Sequence, residues 1–178
     1  MRSDEELMSN VAQGDLDAFE QLVRRHQVSV WNTAFRFLRN ADDAEDVEQD
    51  ALLRVLQAAG RYRPTATFRT YLYRIVTRLC RDRRQKMAPS SCLDPDGEIT
   101  PTPSPVNDAI EVEERRAVKE ALASLPDAYK EAIVLRYYEN LSYSEIVQVI
   151  GTSCRVVERL LARGRYALAA RLGRRLGK

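Results

Sequence analysis

The sequence predicts an all-α protein made of two small helical domains joined by an irregular linker. Two observations carry this. Apolar residues recur at three- and four-residue spacing through nearly all of the 178-residue chain, and no segment alternates convincingly with the period of two that a strand requires. Five of the seven prolines, Pro89, Pro95, Pro101, Pro103 and Pro105, fall within residues 88–106, APSSCLDPDGEITPTPSPV. Proline has no amide hydrogen to donate, so this spacing forbids a helix or a central strand and predicts a semi-extended linker. The predicted domains are therefore residues 1–87 and 107–178.

Each element follows from local chemistry. Ser3 and Glu6 form a potential capping box before a short first helix that ends near Gly14. Asp15 starts a long helix with Phe19, Leu22, Val23, Val30, Trp31, Ala34 and Leu38 on one broad stripe. Asn40 caps the next helix, whose acidic first turns complement the positive end of the helix dipole. Its stripe of Val47, Ala51, Leu52, Val55 and Leu56 runs out near Gly60, and a loop containing Pro64 follows. A helix from about Thr67 to Lys86 then buries Leu72, Ile75, Val76 and Leu79. In the second half, residues 108–123 and 126–139 read as helices, with Pro126 suited to a first turn where its missing amide is not needed. Residues 142–165, SYSEIVQVIGTSCRVVERLLARGR, read as a helix opened by a Ser142/Glu145 capping box, a tight turn at Gly151, and a second helix capped by Thr152 or Ser153. That is the pattern of a helix-turn-helix.

The net charge of +2 hides a strong segregation. Residues 61–86 hold nine Lys/Arg against the single acid Asp82, and residues 151–178 hold eight against Glu158. Residues 42–50 hold six acids and no base. Two basic blocks predict two surfaces for a polyanion, and the acidic block predicts a docking face for a protein partner. The N-terminus has no apolar stretch of a secretory signal, and no run has the length of a membrane span, which predicts a cytoplasmic protein without membrane insertion. Cys80, Cys92 and Cys154 are too few and too scattered for a disulfide framework or a zinc knuckle, and His26 is the sole histidine. No metal or cofactor is expected, and a redox role for a cysteine is left open, with Cys92 the most accessible by its place in the linker.

Arg155, Arg159 and Arg163 recur every four residues and so share one face of the second helix, opposite Val156, Val157, Leu160, Leu161 and Leu168. Arginine suits bidentate contact with guanine edges and also pairs with phosphate. Ser153 and Arg155, at the start of the helix, would reach deepest into a major groove, and Glu158 could accept from a cytosine amine. The other basic block interleaves aromatics with arginines: Tyr62, Phe68, Tyr71 and Tyr73 among Arg61, Arg63, Arg69, Arg74, Arg78 and Arg81. Rings stack on unpaired bases while arginines follow the backbone, a combination suited to single-stranded or melting DNA. Phe68 and Tyr71 also lie near the buried stripe, so core positions are open to them. No clustered metal ligands, no nucleophile with a histidine base and no phosphate-binding glycine loop support an enzyme.

The motifs DAEDVEQDALLRVL, TFRTYLYRIVTRLCRD and LPDAYKEAIVLRYYENLSYSEIVQVIG occur in that order, and with the linker between them they resemble the extracytoplasmic-function sigma factors of bacteria from about residue 15 to 172. The resemblance implies a region 2 domain that binds core RNA polymerase and the promoter −10 element, and a region 4 domain that binds the −35 element and the polymerase flap. It places Asp43, Asp46, Glu48, Gln49, Asp50, Leu53 and Arg54 on the face that docks on the polymerase clamp helices. Arg61, Tyr62, Arg63, Phe68, Tyr71, Arg74, Thr77, Arg78 and Arg81 fall where −10 DNA is met or its contact supported, and Ser153, Arg155, Glu158, Arg159 and Arg163 where −35 DNA is read. It also implies an anti-sigma factor that covers the polymerase-binding surfaces. The chain departs from the family in having Tyr71 where Trp is usual and Arg78 where Asn is usual. Residues 155–160 read RVVERL where GTVKSR is common, so a promoter sequence does not carry over. The alternative is a stand-alone helix-turn-helix regulator, which predicts tight duplex binding and no affinity for core polymerase.

Overall fold

A computed structural model describes residues 2–87 and 109–176. The proline-rich segment predicted as a linker, with Cys92, lies outside the described residues. Among the described residues there are eight α-helices and no strand. They are α1 (Asp4–Val11), α2 (Leu16–Leu38), α3 (Ala41–Ala58), α4 (Phe68–Met87), α5 (Ala109–Ala123), α6 (Asp127–Ile133), α7 (Tyr143–Ile150) and α8 (Cys154–Leu176).

The helix ends follow the local signals. Ser3 and Ser142 are both N-caps of complete capping boxes with Glu6 and Glu145. Asp15 accepts from the Ala18 amide at 2.9 Å, and Asn40 accepts from the Asp43 amide at 2.9 Å. Each such cap satisfies an amide that the helix itself leaves unpaired. Gly151 closes α7 in the left-handed conformation at φ 74°, which sets the turn before α8. Pro126 stands at the N-cap of α6 rather than inside its first turn.

One predicted element differs. The helix expected over residues 126–139 is α-helical only to Ile133, and then widens into a π turn over Val134–Tyr138. The Glu139 amide donates to Val134 O at 3.1 Å, a five-residue step, and Asn140 follows at φ 53°. The extra residue in the turn rotates Glu139 away from the helix surface that an uninterrupted α-helix would give it. Nothing in the local sequence predicts this, because the partners that reward the rotation lie in the other domain.

The N-terminal bundle packs α1 to α4 around Leu7, Met8, Leu22, Val30, Ala34, Val47, Val55, Leu72 and Val76. The C-terminal bundle packs α5 to α8 around Leu122, Ile133, Leu135, Leu141, Ile146, Val157 and Leu161. Gly164 lets α8 approach α6 closely: a Cβ there would lie 2.9 Å from Ile133 Cγ1. The two bundles meet across α4 and α7, with α2 touching α6 and the π turn.

Candidate nucleic-acid and partner interfaces

The recognition surface on α8 forms as its periodicity predicts. Val157 and Leu161 are buried against the core with Gly164, while Val156, Leu160 and Leu168 are half-buried at the edge. Ser153, Arg155, Glu158, Arg159 and Arg163 are all exposed. Glu158 lies one turn from Cys154, whose thiol approaches its carboxylate at 3.9 Å. Three guanidiniums on one solvent-facing stripe, at the start of a helix that follows a tight turn, have the reach and charge to enter a major groove.

The acidic helix α3 sorts its residues by face. Val47, Ala51, Leu52 and Val55 face the core. Asp43 is half-buried and accepts from Arg83 Nε at 2.7 Å, and Asp46 pairs with the same guanidinium. Their two carboxylates hold the Arg83 guanidinium above its usual range despite the desolvation that opposes this. Glu48 is half-buried, and its carboxyl is pushed up by burial and by the neighbouring Glu45. Gln49, Asp50, Leu53 and Arg54 are exposed, and Leu53 keeps 50% of its surface in solvent. Leu53 is the one large apolar side chain exposed on the described polar face of α3.

The aromatic-basic block is split between core and surface. Arg61 ends a short 3-10 turn over Ala59–Arg61 and Arg63 lies in the loop after it, both exposed, and Arg74, Arg78 and Arg81 lie on the outer side of α4. Tyr62 and Tyr71 are half-buried and meet edge to face with ring centroids 5.2 Å apart. Burial pushes both phenols above their usual range, and the Tyr62 hydroxyl is buried with no hydrogen-bond partner among the described residues. Two of the residues placed where −10 DNA is met or its contact supported are buried. Phe68 is 1% exposed, packed against His26 and Tyr62, and Thr77 is 1% exposed with its hydroxyl donating to Arg74 O. Tyr73, read with the stacking aromatics, is also fully buried. Phe68 faces the N-terminal core, whereas Tyr73 is closed off by Glu139, a second cover on α4 that a one-face reading of its periodicity misses.

The second cover is the C-terminal domain, and it brings acids. Glu139 is 4% exposed, yet it accepts from Thr33 Oγ1 at 2.5 Å, from Ser29 Oγ at 3.3 Å and from the Tyr73 hydroxyl. Arg69 donates to its backbone carbonyl and lies 3.9 Å from its carboxylate. Burial and the adjacent Glu139 push the Tyr73 phenol far above its usual range. Glu131 receives a two-pronged contact from Arg81, at 2.6 and 3.3 Å. Burial raises the Glu131 carboxyl, and Arg81 offsets part of the rise. Arg84 pairs with Asp127, and Arg74 Nε donates to Gln148 O at 3.1 Å. Glu145 accepts from Thr67 and Thr70 at 3.0 and 3.3 Å. Burial opposes its charge, but these bonds and those from Ser142 hold its carboxyl below the usual range. Sequence reasoning missed Glu131, Glu139 and Glu145 as partners of the basic helix, since no local pattern couples residues that far apart.

A cavity of about 350 Å³ remains at this seam, lined by Thr77, Cys80, Arg81, Arg84, Asp127 and Glu131. Cys80 is buried there, and its thiol is pushed up to about 12 by burial and by Glu131. It is therefore a poor thiolate at neutral pH. Among the described residues no group of three His, Cys, Asp or Glu is placed to hold a metal ion, and no helix is long and apolar enough to cross a membrane.

Known proteins cover both halves. The Sigma-70 region 2 family matches residues 22–88, and the Sigma-70 region 4 family matches residues 115–168. Over 178 residues the chain is 30% identical to the ECF RNA polymerase sigma factor SigW of Bacillus subtilis (strain 168), covering 93% of this chain and 94% of that one. It is 34% identical over 174 residues to the ECF RNA polymerase sigma factor SigM of Mycobacterium tuberculosis (strain H37Rv), covering 97% and 86%. Among solved structures, CnrH in complex with the cytosolic domain of CnrY matches with a TM-score of 0.73 at 30% identity, over 96% of this chain and 97% of that one.

Proposed function

The chain belongs to the extracytoplasmic-function sigma factors of RNA polymerase, and from that premise we propose how its surfaces divide promoter recognition. The exposed stripe of α3, with Asp46, Gln49, Asp50, Leu53 and Arg54, docks on the polymerase clamp helices, and Asp43 and Glu48 at its edge support it. The arginine face of α8, with Ser153, Arg155, Glu158, Arg159 and Arg163, reads the −35 duplex, and the C-terminal domain also meets the flap. Arg61, Tyr62, Arg63 and Tyr71, with Arg74, Arg78 and Arg81 of α4, capture the unpaired −10 strand, while Phe68 and Thr77 support that surface from inside. Binding energy gained on flipped and stacked bases offsets unpairing, which costs about a few kcal/mol per base.

The observation that carries this reading is the opposition of surfaces. An acidic stripe holding an exposed leucine and two arginine-bearing surfaces lie on different helices. One chain can therefore hold a protein and two stretches of DNA at once. The protein acts in the cytoplasm without catalytic residues of its own. CnrH is bound by the cytosolic domain of CnrY, and a comparable anti-sigma factor is proposed for this chain. The domain limits at residues 1–87 and 107–178, with the proline-rich connection between them, belong to the same proposal.

The test is promoter-specific run-off transcription with core polymerase on promoters selected genome-wide, including those that flank the chain's own gene. Stimulation that Asp50→Lys abolishes, together with lost capture of core polymerase, is expected. Tight duplex binding without any affinity for core polymerase would instead leave a stand-alone regulator.

A further inference from the structure

Helix α1 lies ahead of residue 22, where the match to the Sigma-70 region 2 family begins, and none of the polymerase- or DNA-facing surfaces includes it. It is nonetheless firmly seated. Leu7 and Met8 are fully buried and Val11 nearly so, and α1 packs on α2 and on the Ala59–Arg61 turn. Its capping box occupies Ser3 and Glu6, which leaves the acids between them free to reach other elements. Asp4 takes α2: its carboxylate accepts from Arg25 at 2.7 Å and meets His26 Nε2 at 2.7 Å. Glu5 takes α4: it accepts from the Phe68 amide at 2.8 Å, across 63 residues of chain. That amide opens α4, where a helix offers no carbonyl of its own, and a carboxylate there also meets the positive end of the helix dipole. Thr67 caps another of the open amides, that of Thr70 at 3.3 Å, and Glu145 reaches only the two threonine hydroxyls, so the Phe68 amide depends on Glu5. Adjacent acids thus hold both partners of one ring pair, since the His26 and Phe68 rings lie 5.3 Å apart.

That pair is the inner end of a cluster that reaches the surface. Phe68 meets Tyr62 and Tyr71 with ring centroids 6.5 Å away in each case, and Tyr62 and Tyr71 meet edge to face. Tyr62 lies between Arg61 and Arg63, both exposed. Burial, and next the Glu5 carboxylate, hold its phenol above the usual range, so Glu5 lies close to the loop as well as to the helix. The buried Tyr62 hydroxyl has no hydrogen-bond partner among the described residues, so no bond of its own fixes the ring. Its place depends on the rings it packs against, and theirs depends on where α4 begins. We propose that Glu5 is a positioning residue for strand capture: by holding the first amide of α4 it fixes the loop of residues 61–67 in the shape that takes an unpaired base against Tyr62 and Tyr71. The inference rests on the reading of this loop as part of the −10 surface. It gives α1 a task in promoter opening that requires no contact with DNA.

The test uses the full chain in holoenzyme with core polymerase. The probes are fork DNAs that carry a duplex −35 element and a single-stranded −10 element, with each base placed in turn at each −10 position. The ratio of affinities between bases reports the loop. Glu5→Ala is expected to flatten the preference at one position by on the order of tenfold, since a hydrogen bond to a charged group is lost. Capture of core polymerase and affinity for −35 duplex should stay unchanged. Glu5→Gln keeps an acceptor of the same length and should recover most of the preference. Glu5→Asp keeps the charge but is one methylene too short to reach the amide, so it should behave as alanine does, and it carries the test if the alanine variant melts early by circular dichroism. Tyr62→Ala is the reference for the loop itself. Preference kept in the folded Glu5→Ala or Glu5→Asp variant but lost in Tyr62→Ala overturns the proposal and leaves the −10 reading standing. Preference kept in all three removes the −10 reading of the loop as well. Loss of core polymerase, −35 duplex and base preference together in Glu5→Asp marks a folding defect and overturns the positioning role.

Discussion

Arg81 on α4 ends against Glu131 of the other domain at 2.6 Å, whereas Arg155, Arg159 and Arg163 on α8 end in solvent. The two helices are similar in length and both are rich in arginine. They differ in how many faces are buried. α8 spends one face on Val157, Leu161 and Gly164 and keeps its arginine stripe open. α4 buries Phe68, Leu72, Tyr73, Val76, Thr77 and Cys80, and its arginines at the seam are drawn to acids. A basic stripe in a sequence therefore reports that an anion will pair with it, without saying whether that anion is DNA or the chain's own carboxylate.

The comparison is most severely tested on α8. Arg155→Ala with Arg159→Ala should weaken binding to a selected promoter duplex by about 100-fold or more, since each well-placed arginine contributes about 1–3 kcal/mol. The radius of gyration from small-angle scattering should not move, because neither residue touches the seam. A duplex affinity that survives the pair would move recognition elsewhere. Next in size is Gly164→Ala, which pushes a methyl group into Ile133 and loosens the seat of α8. Overpacking should cost about 2 kcal/mol of stability, more than the roughly 1 kcal/mol that alanine returns in helix propensity. A higher midpoint in a denaturant melt would mean that the contact yields freely.

Lys130 probes the seam from the other side. It is 2% exposed, and burial, followed by repulsion from Arg84, pulls its ammonium down to about 8. The unfolded chain holds this proton up to about 10.5. The lysine thus penalises folding most below pH 8, and the penalty shrinks as pH rises between the two values. Lys130→Met should gain about 2 kcal/mol at pH 7, with a smaller gain at pH 9. An equal gain at both would show that charge is not its cause. The smallest effect is expected for Arg78→Ala, an exposed residue with little role in stability. It should lower the salt dependence of open-complex formation by about one unit of slope with the melting temperature kept.

How far these surfaces could be read in advance differs for the same reason. Capping boxes at Ser3 and Ser142, the left-handed Gly151 and the stripe of α8 depend on neighbours within a few residues, and the local sequence specifies them. The same is true of α3, where core positions and the exposed Leu53 separate by periodicity alone. Phe68 takes the core position its place near the apolar stripe leaves open to it, against His26 and Tyr62, whereas the burial of Tyr73 against Glu139 is invisible in the local sequence because that second cover on α4 comes from far along the chain. The π turn was illegible for the same reason: an unusual turn is tolerated where distant hydroxyls reward it, and Thr33, Ser29 and Tyr73 carry no sequence mark of that task.

Cys80 gives the seam a chemical clock. Its thiol lines the cavity between the domains, buried and reluctant to ionise, while Cys154 stands exposed at the start of α8. In a chain whose other cysteines are replaced by serine, the rate at which Cys80 takes up an alkylating reagent becomes a measure of how often the domains part. Anything that parts them, whether polymerase, DNA or salt, should then register as a faster reaction at one sulfur atom.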